Sequence, residues 1–239
     1  MSNPTPALLA LWQRVADFVA PQRCFACGSS SGGDALCTPC RQALPRRPST
    51  ACPRCALPGL GGGLCAACVR RPPAYDATRA LYDFAFPVDA MVHALKYRHQ
   101  LALVAYFAAE LRELGRDFGA DAELLLPMPL HPRRLAERGF NQAVELARPL
   151  ARSRALPLAL ALVSKVRDIP AQAGLGREER QRNPRGAFVC DQDLHGQRVI
   201  VVDDVMTTGA TLDELARCLK GRGAVWVGNL VVARTPAPY

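Results

Sequence analysis

The stretch Val199–Thr211, Val-Ile-Val-Val-Asp-Asp-Val-Met-Thr-Thr-Gly-Ala-Thr, decides how this chain folds. Its first four residues are apolar and β-branched, so they read as a strand buried in a parallel sheet. Leu212, Leu215, Ala216 and Leu219 then recur at helical spacing until Gly221 ends the run. A strand therefore feeds a short loop and then a helix. Thr207, Thr208, Gly209, Ala210 and Thr211 make up the loop. Small and hydroxyl-bearing residues let backbone N–H groups close on a phosphate at a helix N-terminus, where the partial positive charge favours an anion. Asp203 and Asp204 leave the carboxyl end of the strand, where open α/β sheets hold ligands. Paired carboxylates there suit vicinal ribose hydroxyls and a hydrated Mg²⁺. Phosphate beside ribose describes a 5′-phosphoribosyl group. An ordinary strand, loop and helix with Asp and Thr as caps would not need so many concerted choices.

The other end of the chain is organised by cysteine. Eight of ten cysteines fall in four Cys-x-x-Cys pairs: Cys24 and Cys27, Cys37 and Cys40, Cys52 and Cys55, Cys65 and Cys68. The pattern of residues 24–40 repeats at 52–68, 28 residues on. Each pair can present two thiolates to one tetrahedral ion, so two structural four-cysteine zinc sites are expected, with Gly28, Gly59, Gly61, Gly62 and Gly63 supplying tight turns. The segment has few core-forming residues, and bound metal can provide the missing folding free energy. Disulfides are disfavoured because no convincing export signal precedes the pairs, and a thioredoxin-like redox role because no strand-helix pattern surrounds them. A structural clip is preferred to a direct nucleic-acid contact. Spacing leaves open which two pairs share an ion. Cys190 and Cys218 stand alone and read as packing residues.

At 239 residues with 49% hydrophobic content, the chain divides into a short N-terminal helix (1–20), a double zinc ribbon (21–72) and one enzyme-sized domain (73–239). The formal charge is +9; eight metal-bound thiolates remove eight charges and two Zn²⁺ return four, leaving +5. Of 30 basic residues 27 are Arg, whose planar fork holds phosphate bidentately. No apolar run is long enough to span a membrane. Ala7 to Ala20 is apolar at Leu8, Leu11, Trp12, Val15 and Val19 but carries Arg14 and Asp17, which fits an amphipathic helix better than a signal peptide. A cytoplasmic protein is expected.

Between the ends, strands alternate with helices. Ala80 to Phe86 reads as a strand, Val88 to Tyr97 and Leu101 to Leu114 as helices, Leu124 to Met128 as a short strand, and Ala143 to Ala151 as a helix. Residues 130–142 read as a basic loop at a strand's carboxyl end, in which Arg133, Arg134 and Arg138 would meet pyrophosphate. A third basic segment, Lys165 to Phe188, reads as a loop that closes over the ligand, with Lys165 and Arg167 as lid cations. From Glu123 to Val189 twelve basic residues face six acidic ones, which concentrates the positive charge around the proposed site. His93, His131 and His195 are given no catalytic role.

The Val199–Thr211 segment resembles the signature of type I phosphoribosyltransferases, which bind 5-phosphoribosyl-1-pyrophosphate. The chain from about residue 20 to 235 resembles the ComF family, which includes GntX-like proteins. Besides the cysteines and the 199–211 signature, that resemblance rests on Leu95-Lys96-Tyr97-Arg98, Pro127-Met128-Pro129-Leu130, Arg138-Gly139-Phe140-Asn141-Gln142, Pro170-Ala171-Gln172 and Arg180-Gln181-Arg182-Asn183. His99 and Pro184 depart from the family pattern. The resemblance implies a parallel-sheet α/β type I phosphoribosyltransferase fold with a small N-terminal zinc ribbon. It also implies a part in DNA uptake during natural transformation or in handling phosphoribosyl compounds. Two functional classes follow. One is a Mg²⁺-dependent phosphoribosyltransferase serving DNA uptake or nucleotide metabolism, in which a nitrogen nucleophile displaces pyrophosphate. The other is a non-catalytic accessory that binds single-stranded DNA or senses a phosphoribosyl compound, working with the DNA-uptake machinery.

Overall fold

The computed structural model describes residues 23–59, 61–98, 100–168 and 185–236. The amphipathic segment Ala7 to Ala20 and residues 169–184 of the third basic segment lie outside them. Four strands form a parallel sheet in the order β1-β6-β5-β2: β1 (Ala77–Asp83), β2 (Leu124–Pro127), β5 (Arg198–Met206) and β6 (Trp226–Arg234). The β-branched run sits inside this sheet because β5 is paired on both edges. Val199 to Val202 are at most 1% exposed, alternately feeding the two faces, as a parallel sheet covered on both sides requires.

Three helices cover one face: α3 (Val88–Tyr97), α4 (Leu101–Leu114) and α6 (Gln142–Ser153). Leu95, Phe107, Leu111, Leu146 and Leu150 pack there with Ile200 and Val202. The opposite face is covered by α7 (Ala210–Lys220), whose Leu212, Leu215, Ala216 and Leu219 are all buried. Burying each such leucine contributes roughly 1.5–3 kcal/mol, so this one stripe commits the helix to the sheet. Among the described residues no helix is long and apolar enough to cross a membrane.

Three elements differ from the sequence reading. The first strand is Ala77–Asp83, three residues earlier than Ala80 to Phe86. Asp76 anchors its entry by accepting from Val227 N and Lys220 Nζ, both at 2.8 Å, and its polar start, Thr78 and Arg79, masks the strand pattern. Residues 132–138 of the basic loop form a helix, α5 (Pro132–Arg138). Pro132 opens it, His131 Nδ1 accepts from Arg133 N at 3.3 Å, and Gly139 closes it at φ +78°. His131 is thus a helix cap. Finally, Lys165 and Phe188 lie in strands, β3 (Val163–Lys165) and β4 (Phe188–Cys190), which pair antiparallel and bracket the third basic segment.

The two cysteine repeats fold alike. An isolated bridge joins Arg23 to Ser30, and its counterpart 28 residues on joins Ala51 to Pro58. Helix α1 (Thr38–Gln42) corresponds in the same way to α2 (Ala66–Arg70). Gly28 at φ +73° is matched by Ala56 at φ +55°, so the second ribbon puts a side chain in left-handed backbone. The first ribbon buries Cys24, Leu36 and Leu44 in the core on one face of the sheet, and the second buries Cys52, Cys55, Ala56 and Cys68 in the other.

The structure settles which cysteines go together: Cys24, Cys27, Cys37 and Cys40 form one cluster, and Cys52, Cys55, Cys65 and Cys68 the other. Within each, all four sulfurs lie within 4.8 Å of one another. Cys27 and Cys37 are 3.7 Å apart and Cys55 and Cys65 3.6 Å. Four sulfurs about 2.3 Å from a central zinc would stand roughly 3.8 Å apart, so the clusters fit the ion. Burial opposes ionisation of Cys24, but N–H groups of Cys37, Cys27 and Ala26 bring its thiol down to about 6, while hydrogen bonds with Cys37 and Cys27 push Cys40 up to about 12. Cys24 is thus favoured as a thiolate, and Cys40 holds its proton until a cation replaces it. Metal analysis checks the pairing: Cys24→Ser/Cys37→Ser keeps one zinc per chain, whereas loss of both ions would mean that the pairs are shared across the repeats.

Candidate functional site

The loop after β5 is shaped by one glycine. Gly209 has φ +84°, and a Cβ there would come 2.6 Å from Met206 Cε and 3.0 Å from the Tyr75 hydroxyl. Asp213, in the first turn of α7, accepts from Ala74 N at 2.6 Å, which ties the helix start to the segment following the second ribbon. Arg234, at the end of β6, is 4% exposed. It donates to the carbonyls of Cys55, Met206 and Thr235 at 3.0 Å and also to that of Thr207. The Thr207–Thr211 loop is therefore fixed from behind by the second ribbon and by β6.

In front of the loop, a cavity of about 360 Å³ is lined by Asp203, Thr207, Thr211, Lys96, Arg138 and Lys165, among others. Asp203 is half-buried and Asp204 is 4% exposed. Both Asp204 oxygens are engaged: Oδ1 pairs with Lys96 Nζ at 2.8 Å, and Oδ2 accepts from Gln142 Nε2 at 2.6 Å. Gln142 Oε1 in turn accepts from Arg138 Nη1 at 2.5 Å. Arg138 stacks over Tyr97, 5.4 Å from the ring centre. Asp204 thus orients two side chains of the cavity wall, and Asp203 is the carboxyl that faces the open space. Burial, then the adjacent Asp204, pushes Asp203 up to about 7, against the attraction of Lys96, the Asp204 N–H and Lys165. Burial works against the Lys96 ammonium, but Asp204 more than offsets it and its pKa is raised. At Lys165 burial prevails over Asp203 and Asp168, and its pKa is lowered.

Of the residues singled out in the sequence, the cavity brings together Asp203, Thr207, Thr211, Arg138 and Lys165, with Asp204 directly beneath. Thr208, Gly209 and Ala210 line a different cavity, on the ribbon side of the loop. Arg133 turns to Glu137 at 3.1 Å; Arg134 pairs with Glu137 and Asp168, both at 3.2 Å. Neither lines the cavity. Arg167 donates to the Arg185 carbonyl and stays at the base of the basic segment. Lys96, in Leu95-Lys96-Tyr97-Arg98, and Gln142, in Arg138-Gly139-Phe140-Asn141-Gln142, also reach the cavity, and local spacing assigns neither a role. A compositional signal was present: in a chain with 27 arginines, two of only three lysines, Lys96 and Lys165, reach this cavity.

A parallel sheet, a Thr-Thr-Gly-Ala-Thr loop leading into a helix N-terminus and two four-cysteine ribbons define a phosphoribosyltransferase-like protein with a double zinc ribbon. The double zinc ribbon domain family matches residues 15–69, and the phosphoribosyl transferase domain family residues 135–239. The DNA utilization protein YhgH of Shigella flexneri is 31% identical over 90% of this chain and 98% of its own length. Competence protein F of Haemophilus influenzae is 30% identical over 66% of this chain and 73% of its own, and competence protein ComFC of Bacillus subtilis 27% over 84% of each. The chain belongs to the ComF family.

The state of Asp203 has a measurable consequence. Its carboxyl ionises at about 7 in the fold against 3.8 for the ordinary group. The folded state therefore holds a proton that the unfolded state has lost, and stability falls as pH rises from about 4 through 7. Asp203→Asn is neutral throughout, so it raises Tm at pH 8 by more than at pH 5. A Tm gain that is equal at the two pH values, or larger at pH 5, would contradict this placement.

Proposed function

We propose that this protein binds 5-phosphoribosyl-1-pyrophosphate with Mg²⁺ in the cavity before the phosphate loop and serves DNA uptake. The observation that carries the first part is the single cavity lined by Thr207 and Thr211, the Asp203 carboxyl, and the cations Lys96, Arg138 and Lys165. That set offers hydroxyls to a 5′-phosphate, a carboxyl to ribose hydroxyls, and positive charge to a pyrophosphate. The second part is supported by the relatives, which bear the names of DNA utilization and competence proteins.

The donor set also suits Mg²⁺, which is commonly held by one or two carboxylates together with a ligand's phosphate oxygens. Asp203 would be the protein ligand, since both oxygens of Asp204 are taken. Bound there, the ion would neutralise charge on departing pyrophosphate. In a transfer reaction, a nitrogen nucleophile forms a bond to ribose C1 as the C1–O bond breaks, and the electron pair leaves with pyrophosphate. The chain's part is to hold the phosphate end in the loop and to place Lys96, Arg138 and Lys165 where negative charge accumulates.

Calorimetric titration of the zinc-loaded protein with phosphoribosyl pyrophosphate and Mg²⁺ tests this reading. Arg138→Gln and Asp203→Asn/Asp204→Asn each weaken binding about tenfold or more, as expected for loss of a charged contact. Arg133→Gln/Arg134→Gln, whose guanidiniums face Glu137 and Asp168, leaves the affinity within about twofold. Absence of binding by the wild type would overturn the proposal and favour the non-catalytic, single-stranded-DNA-binding reading.

A further inference from the structure

Behind the phosphate loop lies a second cavity, of about 300 Å³, between the loop, α7 and the second ribbon. Arg70, Arg71, Arg185, Arg217 and Arg234 all contribute to its wall. Acidic groups answer this charge incompletely. Asp213 also lines it, but one of its oxygens accepts from Ala74 N and the other pairs with Arg217, which pairs with Glu214 as well. Among the described residues, Arg70, Arg71 and Arg185 have no acidic partner, and buried Arg234 is held only by carbonyl oxygens. Zinc-bound thiolates at Cys55 and Cys68 would bring a formal −2 to one wall, and the five guanidiniums still exceed that charge together with Asp213.

Tyr75 is the second observation. It is 3% exposed, lines the same cavity, and no described residue hydrogen-bonds its hydroxyl. The ring is packed away while the hydroxyl opens onto the cavity, where a ligand oxygen can accept from it. Burial raises its pKa, which keeps the group a phenol and so a donor. A phenol donor on the cavity wall, arginines without an acidic partner among the described residues, and a volume at the lower end of small-ligand sites describe a place for a phosphate.

We infer that the second ribbon and the back of the phosphate loop form a separate anion site, in which Arg70, Arg71 and Tyr75 bind a phosphate group. The group comes either from a small phosphate compound or from the backbone of a nucleic-acid strand. This site does not depend on phosphoribosyl pyrophosphate binding in front of the loop.

The test uses full-length, zinc-loaded protein and the variants Arg70→Gln/Arg71→Gln, whose side chains are exposed, and Tyr75→Phe, which keeps the ring. Pyrophosphate is titrated by calorimetry and a fluorescent twenty-nucleotide dT strand by anisotropy, with melting curves confirming that the variants are folded. The wild type is expected to show a class of pyrophosphate sites that both variants weaken about tenfold. If a strand supplies the phosphate, both variants also weaken dT binding, and the double arginine variant lowers its salt slope by about 1.4. Weakened pyrophosphate binding with unchanged dT binding assigns the site to small phosphates. Unchanged binding of both ligands in both variants overturns the inference, and this result is independent of any titration with phosphoribosyl pyrophosphate.

Discussion

The buried guanidinium of Arg234 joins the three parts on which this structure depends. It leaves the end of β6, reaches the carbonyl of Cys55 in the second ribbon, and holds the carbonyls of Met206 and Thr207 where β5 passes into the Thr207–Thr211 loop. A charge buried without such partners would be strongly destabilising. Each of these carbonyls therefore has to stay in place, and the second ribbon is locked to the sheet. Tyr75 against Gly209 and Ala74 N on Asp213 reinforce the same junction. The second ribbon thus acts as the back wall of the loop.

That arrangement explains the shape of the site. The loop is fixed from behind, so its Thr207 and Thr211 face a cavity whose other wall comes from α3, α5 and α6 through Lys96, Arg138 and Gln142. Asp204 connects the two walls: it leaves β5 yet pairs with a lysine from α3 and a glutamine from α6. Its burial is tolerated because both oxygens are paired. Asp203 has no such arrangement: it lines the cavity, and burial together with the adjacent Asp204 raises its pKa. Two adjacent and identical residues therefore have different chemistry, set by which way the strand turns each one.

The features legible in the sequence are those fixed by local spacing. The β-branched run, the helical repeat of Leu212, Leu215, Ala216 and Leu219, and the 28-residue cysteine repeat each state their own geometry, and β5, α7 and the paired ribbons follow from them. What spacing does not encode is which distant residues meet. Lys96 and Gln142 reach Asp204 from 108 and 62 positions away, and Arg234 reaches Cys55 across 179. Placing Arg133 and Arg134 on pyrophosphate requires an irregular loop. Pro132, the His131 cap and Gly139 make that stretch a helix instead, and its i+3 and i+4 neighbour Glu137 takes both guanidiniums. A charge count records how many arginines are present and says nothing of the carboxylates already beside them.

The dependence of the second ribbon on Arg234 is open to direct measurement. Arg234→Met keeps an unbranched, buried side chain and removes every donor, and the rate at which a chromogenic chelator extracts zinc from the protein reads the consequence. The account predicts two kinetic phases in the variant, with one ion leaving about tenfold faster than in the wild type and the other, in the first ribbon, unchanged. Both ions leaving the variant at one common rate, whether that of the wild type or an accelerated one, would contradict it.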